Sequence, residues 1–272
     1  MKPRRNIATS LVMVPLACLI ALPFYYIVVN TFKTQAQTTR SPLGLPARPY
    51  FGNYTTVFHN SPLVTSFLNT LYVTALSIAV MLIVGSMAAF GIILGRGLLT
   101  KGLGLLLIVA FLVPGQATLL PIYQMLVKVH LVDSLTGLVF VYSAGSIFCY
   151  FLIVGYMRTV PTEIIEAARI DGAGSFRIFW SLMLPLIRPI LVTVGVFQTM
   201  WVWNDFITPN VFISSPGKQT LVLQVYTAVG QFTTDWPAFM TLSVIVLTPT
   251  VIFFIFMQRH IVSGLLKGSV KG

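Results

Sequence analysis

The chain has 272 residues, 56% of them hydrophobic and 8% charged, with a mean hydropathy of +0.89. Soluble domains carry charge on about a quarter of their residues, so a water-soluble globule is excluded and a polytopic membrane protein is expected. The net charge of +11 comes from 17 basic and 6 acidic residues; the bases lie in short segments between apolar runs, which points to membrane orientation rather than nucleic acid.

A span needs about 20 mostly apolar residues. Six windows qualify: 7–29, 67–94, 103–127, 135–156, 189–207 and 239–257. The expected fold is therefore all-α, a single transmembrane domain over residues 1–272 with six membrane helices. Lys2, Arg4 and Arg5 precede the first window as in a signal peptide. That window is too long for a signal core and lacks an A-x-A site, so a retained span is expected. Pro15-Leu16-Ala17-Cys18 has proline where a lipoprotein signal wants leucine. Cys18 and Cys149 both fall inside windows and support no disulfide framework.

Segment 31–66 is rich in Pro, Gly, Thr and aromatics, lacks acids and shows no helical or strand period. The second window carries Thr70, Thr74 and Ser77 at i, i+4, i+7, then Gly85-x-x-x-Ala89 and Gly91-x-x-x-Gly95. Small residues at that spacing let membrane helices approach closely; a substrate path is the competing reading. The third window holds Pro114 and Pro121 among Gln116, Thr118 and Gln124. It reads as a kinked helix that either lines a pore or packs.

Residues 158–187 break the apolar pattern, and Glu163, Glu166 and Asp171 fall within nine residues there. The grammar is helix, turn, helix. Pro161 suits a first helical position, and Glu163 in the first turn complements the helix dipole. Ile164, Ile165, Ala167 and Ala168 supply an apolar side, while Glu166 and Arg169 are spaced to pair. Gly172 and Gly174 are expected to end the helix, and Ser175 to cap the next. Phe176, Phe179, Trp180 and Met183 then form one helical stripe, before Pro185 and Pro189 interrupt it.

In the fifth window Gln198, Trp201 and Asp205 share a face at i, i+3, i+7. A carboxylate at the membrane centre costs about 2.5–3.5 kcal/mol even on insertion scales. Asp205 lies 17 residues beyond Arg188, about 25 Å along a helix, and hence near the outer surface. Trp201, Trp203 and Phe206 read either as an interfacial aromatic belt or as the border of a translocation path.

Even span number puts both termini on one side. Lys2, Arg4, Arg5, Arg96, Lys101, Arg158, Arg169, Arg177, Arg188, Arg259, Lys267 and Lys271 are twelve bases on that side. Lys33, Arg40, Arg48, Lys128 and Lys218 are five on the other. The positive-inside rule then places both termini and the 158–187 loop in the cytoplasm.

No G-x-x-x-x-G-K-[ST] occurs, so the chain has no P-loop. His59, His130 and His260 have no metal-ligand spacing. No paired carboxylates lie within the windows, as a proton-coupled carrier would often need. The chain is not expected to be an enzyme, nor to hold a metal or cofactor.

Glu166-Ala167-Ala168, then Gly172, then Leu182 and Leu184-Pro185 resemble the EAA loop of ABC importer permeases, with Leu182 where isoleucine is usual. Ile170-Asp171-Gly172-Ala173 is similar to the carbohydrate-uptake version. Asn53-Tyr54 with Phe58, Asn69-Thr70, and Trp203-Asn204-Asp205-Phe206 resemble segments of sugar permeases. Ser269-Val270-Lys271-Gly272 resembles the end of MalG-like subunits, although Gly264-Leu265-Leu266-Lys267-Gly268 replaces their Gly-Leu-Thr-Ala-Gly.

The resemblance implies a MetI/MalG-like permease fold in a bacterial or archaeal cytoplasmic membrane. It implies a second permease subunit as heterodimeric partner, two ATPase subunits that bind ATP and magnesium, and an extracytoplasmic sugar-binding protein facing loop 209–237. Glu163, Glu166, Ala167, Ala168, Asp171 and Gly172 would then couple to the ATPase. Gln198, Trp201, Asn204 and Asp205 would border the substrate path. The alternatives are an importer permease for an amino acid, peptide or phosphate, a secondary transporter, or an assembly protein with no conduction role.

Overall fold

Proline stops this chain's helices at some points, such as Val113-Pro114, and is accommodated inside them at others, such as Pro15, Pro23, Pro121 and Pro249. The computed structural model describes residues 7–95, 97–231 and 235–269. Lys2, Arg4, Arg5, Arg96, Val270, Lys271 and Gly272, which enter the charge count or the tail comparison, lie outside the described residues. Every regular element among the described residues is helical. Two compact units are present, Met1–Leu63 with Gln224–Pro249 and Val64–Leu223 with Thr250–Gly272.

Three helices are long and apolar enough to cross a membrane, and six spans result if each bent pair counts as one. The first is α1 (Ile7–Asn30). Helices α2 (Gln35–Arg40) and α3 (Gly52–Asn60) follow in the segment that showed no periodicity. The signal for α2 was a capping box: Thr34 accepts from the Gln37 N–H while Gln37 Oε1 accepts from the Thr34 N–H at 2.9 Å. Around them, buried Asn53 donates to the Thr31 and Lys33 carbonyls, both at 2.8 Å. The buried Lys33 ammonium donates to Ser41 and Pro42 carbonyls at 2.8 and 3.2 Å, and burial lowers its pKa. Asparagine and lysine thus satisfy backbone that has no helical partner.

In the second unit α4 (Leu63–Leu94) lies against α8 (Ser146–Met157) and α12 (Arg188–Asn204). Gly85 permits the approach to α8, where a Cβ would fall 2.7 Å from Cys149 Cβ. Ala89 is fully buried, so the first small-residue pair packs helices as expected. Gly91 meets open space and does not. Thr70, Thr74 and Ser77 are buried, and Thr70 Oγ1 accepts the Leu221 N–H at 2.9 Å.

The third window is not one kinked helix. It divides into α5 (Leu98–Leu112) and α6 (Gly115–Lys128), bent by 101°. Val113 precedes Pro114 and is driven out of the helical region to ψ 121°; Pro121 sits inside α6 without breaking it. Helix α7 (Leu135–Ser143) meets α8 at 40°. The polar break contributes α9 (Thr162–Ile170), α10 (Ser175–Ile178), a π-turn over Phe179–Met183 and α11 (Leu184–Leu186). The segment Ser175–Leu186 meets α12 at 75°. Beyond α12, α13 (Ile207–Phe212), α14 (Leu221–Gln231) and α15 (Trp236–Ser269) complete the order. The 209–237 stretch is thus partly helical; Asp235 caps α15 through the Ala238 N–H at 3.1 Å.

Candidate functional site

Helix α9 begins after Pro161, whose ψ of 133° makes it the N-cap rather than the first helical residue. Its end is a Schellman motif. The Gly172 N–H donates to the Arg169 carbonyl at 3.0 Å and the Ala173 N–H to the Ala168 carbonyl at 2.9 Å. That closure needs the left-handed backbone of Gly172, φ +80°. One left-handed residue suffices, so Gly174 does not end α9; at φ −69° it caps α10, and Ser175 is that helix's first residue.

Ile165 is buried, and Ile164 and Ala168 are half-buried. Glu163, Glu166, Ala167 and Ile170 are exposed and recur at i, i+3, i+4, i+7, a single outward face. Ala167 therefore belongs with the acids rather than the apolar side. Asp171 and Gly172 are exposed at the turn. Among the described residues the Glu166–Arg169 ion pair is not formed.

The expected stripe after Ser175 splits. Pro185 has no N–H, and its ring crowds the carbonyl four residues back. The chain answers with a π-turn, in which the Leu184 N–H reaches the Phe179 carbonyl. Phe179 and Met183 stay inside, while Phe176 is 74% exposed. The Phe179 ring lies 5.4 Å from Phe90 near the end of α4, which ties the loop to that helix.

The fifth window also departs from one continuous face. Helix α12 ends at Asn204 and Asp205 is extended, ψ 130°. Asp205 Oδ1 accepts the Ile207 N–H at 2.9 Å and the Thr208 N–H at 3.4 Å, and so caps α13. Its Oδ2 accepts the Tyr142 hydroxyl at 3.0 Å. Trp201 is 52% exposed and stands edge-on to Tyr142, centroids 5.7 Å apart. Asn204 accepts the Thr250 hydroxyl at 3.1 Å. Gln198 is elsewhere: it is buried, donates to the Gly145 carbonyl at 3.3 Å, and lies 3.2 Å from Met81 Sδ. Trp201 and Asp205 are joined through Tyr142, while Gln198 packs between α4, α7–α8 and α12.

Two residues of this region escaped the sequence reading. Tyr142 had one usable signal, a buried-window hydroxyl that needs a partner. Asp133 stood alone in sequence. It adopts φ +53°, and its carboxylate collects the Ser214 and Ser215 N–H groups at 3.0 and 2.9 Å, the Ser215 hydroxyl, and the Lys218 ammonium at 3.0 Å. The Ser215 hydroxyl and N–H, and then Lys218 and the Ser214 N–H, hold its pKa well below the usual carboxylate range.

The chain as a whole has relatives. The chain is 36% identical over 250 residues, 92% of this chain and 91% of the other, to the probable starch degradation products transport system permease protein AmyC of Thermoanaerobacterium thermosulfurigenes. It is 30% identical over 258 residues, 94% and 93% of the two chains, to the melibiose/raffinose/stachyose import permease protein MelC of Bacillus subtilis. A crystal structure of a bacterial ABC transporter involved in alginate import has the same fold, with TM-score 0.81 at 22% identity over 93% of this chain and 95% of that one. Residues 81–267 match the family described as the binding-protein-dependent transport system inner membrane component, and the chain belongs to that family.

Proposed function

We propose that this chain is one of two permease subunits of an ATP-driven importer for a sugar or oligosaccharide. In this reading α9 is its joint to the ATPase subunits. The observation that carries it is the outward face of α9, with Glu163, Glu166, Ala167 and Ile170 exposed while Ile165 anchors the opposite side. Such a face has no use in lipid. It suits a groove on a soluble subunit, where Ala167 permits close approach, Ile170 fills an apolar hollow, and Glu166 meets a basic or N–H group. Asp171 and Gly172 set the turn that fixes the helix, and half-buried Ala168 seats it. Nucleotide and magnesium belong to the two ATPase subunits, whose closure rocks the permease pair between inward-facing and outward-facing states.

The carbohydrate reading is supported by the relatives named for starch products and for melibiose, raffinose and stachyose. The base count of twelve against five supports cytoplasmic termini and a cytoplasmic α9. The opposite face, with the Asp133–Lys218 cluster, meets the extracytoplasmic binding protein. Trp201 offers an exposed ring to a sugar at the path's edge, beside Asn204. Asp205 acts as a positioning residue through Tyr142, and Gln198 holds the helices that frame the path.

Glu166→Lys tests the joint. The permease pair should still assemble in the membrane, ATPase subunits should co-purify several-fold less, and uptake should fail. Full uptake with hydrolysis still stimulated by the binding protein would reduce α9 to a linker.

A further inference from the structure

A groove of about 600 Å³ opens between the C-terminal end of α4, α5 and α8, with no residue of α9 and neither Asp133 nor Asp205 in its lining. Ile92, Thr100, Lys101, Leu105, Tyr150 and Arg158 line it. Among the described residues, Lys101 and Arg158 are the cations in the lining and no acid is there. Among the described residues neither Lys101 nor Arg158 is in an ion pair.

Both cations mark the ends of membrane helices. Lys101 lies in the first turns of α5, and Arg158 is the C-cap of α8, which sets the groove at headgroup depth. The walls below are apolar, and α5 buries none of its own residues. Leu98 and Leu99, 86% and 78% exposed, leave apolar surface beside the mouth. An entirely water-soluble anion would match the cations and leave the walls uncovered. An amphiphile with an anionic head matches both.

We propose that this groove binds an anionic phospholipid. Its phosphodiester sits between Lys101 and Arg158, and an acyl chain runs along Ile92, Leu105 and Ile108. Arginine's planar fork can take two phosphate oxygens while lysine supplies a point charge. Thr100 adds a hydroxyl donor, pressed so near Gly95 that a Cβ there would fall 2.4 Å from Thr100 Oγ1. The inference needs only the family's place in a membrane. It is independent of the transported solute and of α9, so it and the proposed function fail separately.

The test uses the full chain in nanodiscs of phosphatidylcholine with a minor fraction of phosphatidylglycerol. After detergent extraction and purification, the ratio of the two retained lipids is read by mass spectrometry. Wild-type protein should be enriched in phosphatidylglycerol. Lys101→Ala and Arg158→Ala should each cut that enrichment about fivefold, as expected for one interfacial cation. The exchanged pair Lys101→Arg with Arg158→Lys should keep it, and high salt should weaken it. Unchanged enrichment in the double alanine variant would overturn the proposal. So would equal competition by soluble glycerophosphoglycerol, which would indicate a free-anion site. Normal lipid retention with loss of associated subunits would show that the groove seats a protein and would also overturn it. Thermal unfolding in phosphatidylcholine alone checks the double variant; if it does not fold, single Lys101→Gln and Arg158→Gln decide by the same ratio.

Discussion

Gly172 offers the cleanest perturbation of the proposed joint. At φ +80°, a Cβ built on it meets nothing within 4 Å. Substitution there adds no clash, so the cost is the backbone's alone. Forcing a non-glycine residue into the left-handed region costs about 1–3 kcal/mol, towards the upper end for a β-branched side chain. Asparagine tolerates that region. The order of harm is therefore Gly172→Asn, then Gly172→Ala, then Gly172→Val. The strained turn relieves itself by opening the Gly172 and Ala173 bonds to Arg169 and Ala168, which frees the C-terminal end of α9 from its fixed turn.

If the whole strain appears as lost docking, the docked fraction falls about 5- to 150-fold. The membrane helices are untouched, so insertion and pairing with the second permease should be normal. The assay is hydrolysis by the reconstituted complex with and without binding protein, beside uptake in vesicles. Valine should uncouple the two and asparagine should stay near wild type. Full coupling in the valine variant would refute the reasoning, as would an asparagine variant as impaired as valine, because backbone strain could not then be the cause.

Four further expectations concern Asp205, Gln198, Asp133 and the proposed topology. Asp205→Ala should lower uptake more than Tyr142→Phe, since it removes the α13 cap and the Tyr142 acceptor together, and Gln198→Ala should lower thermal stability by about 1–3 kcal/mol through its lost contacts to Gly145 and Met81; equal uptake in the first pair would leave Asp205 without a positioning role. Asp133 has a folded pKa below its unfolded value of about 3.9, so its contribution is complete above about pH 4 and lost as pH falls towards the folded pKa; binding-protein-dependent uptake should be flat around neutrality, and Asp133→Ala should impair it more than Asp133→Asn, which tolerates φ +53°. In a background with Cys18 and Cys149 replaced, Ser175→Cys should react with an impermeant thiol reagent only from inside and Ser214→Cys from outside; Ser214 serves better than Ser215, whose hydroxyl donates to Asp133. The reverse labelling pattern would invert the proposed topology.

How much of this was legible follows from what each signal reads. Apolar length located the helices, and the Gly172 stop was visible because a glycine after an amphipathic run has one good use. The misplaced faces share a cause. A 3.6-residue pattern presumes an uninterrupted helix, and Pro114, Pro185 and Asp205 each interrupt one by acting on neighbouring backbone. Pro114 moved Val113 out of the helix, Pro185 widened the turn before it, and Asp205 left α12 to cap α13. Periodicity counted across those points assigns a face that does not exist, as it did for Phe176 with Phe179 and for Gln198 with Asp205. Asp133 left no periodic trace at all, because its partners lie more than 80 residues away.

The same interruptions bear on how the proposed joint would work. A continuous helix from Ser175 into α12 would let α9 pivot as one lever about a long rod. The π-turn places Phe179 and Met183 inside together, and Phe179 meets Phe90 on α4. The 75° bend at Ile187 then separates Ser175–Leu186 from α12. In the proposed joint, force applied to α9 would reach the end of α4 first, through the packed Phe179 and Phe90 rings, and only then pass around the bend to α12. On α12, Gln198 lies against Met81 of α4. Helices α4 and α12 are thus linked at two levels, by Phe90–Phe179 at one end of α4 and by Met81–Gln198 further along it. Since packed interiors shift between discrete arrangements rather than stretch, a docking motion of α9 would tilt the two helices together.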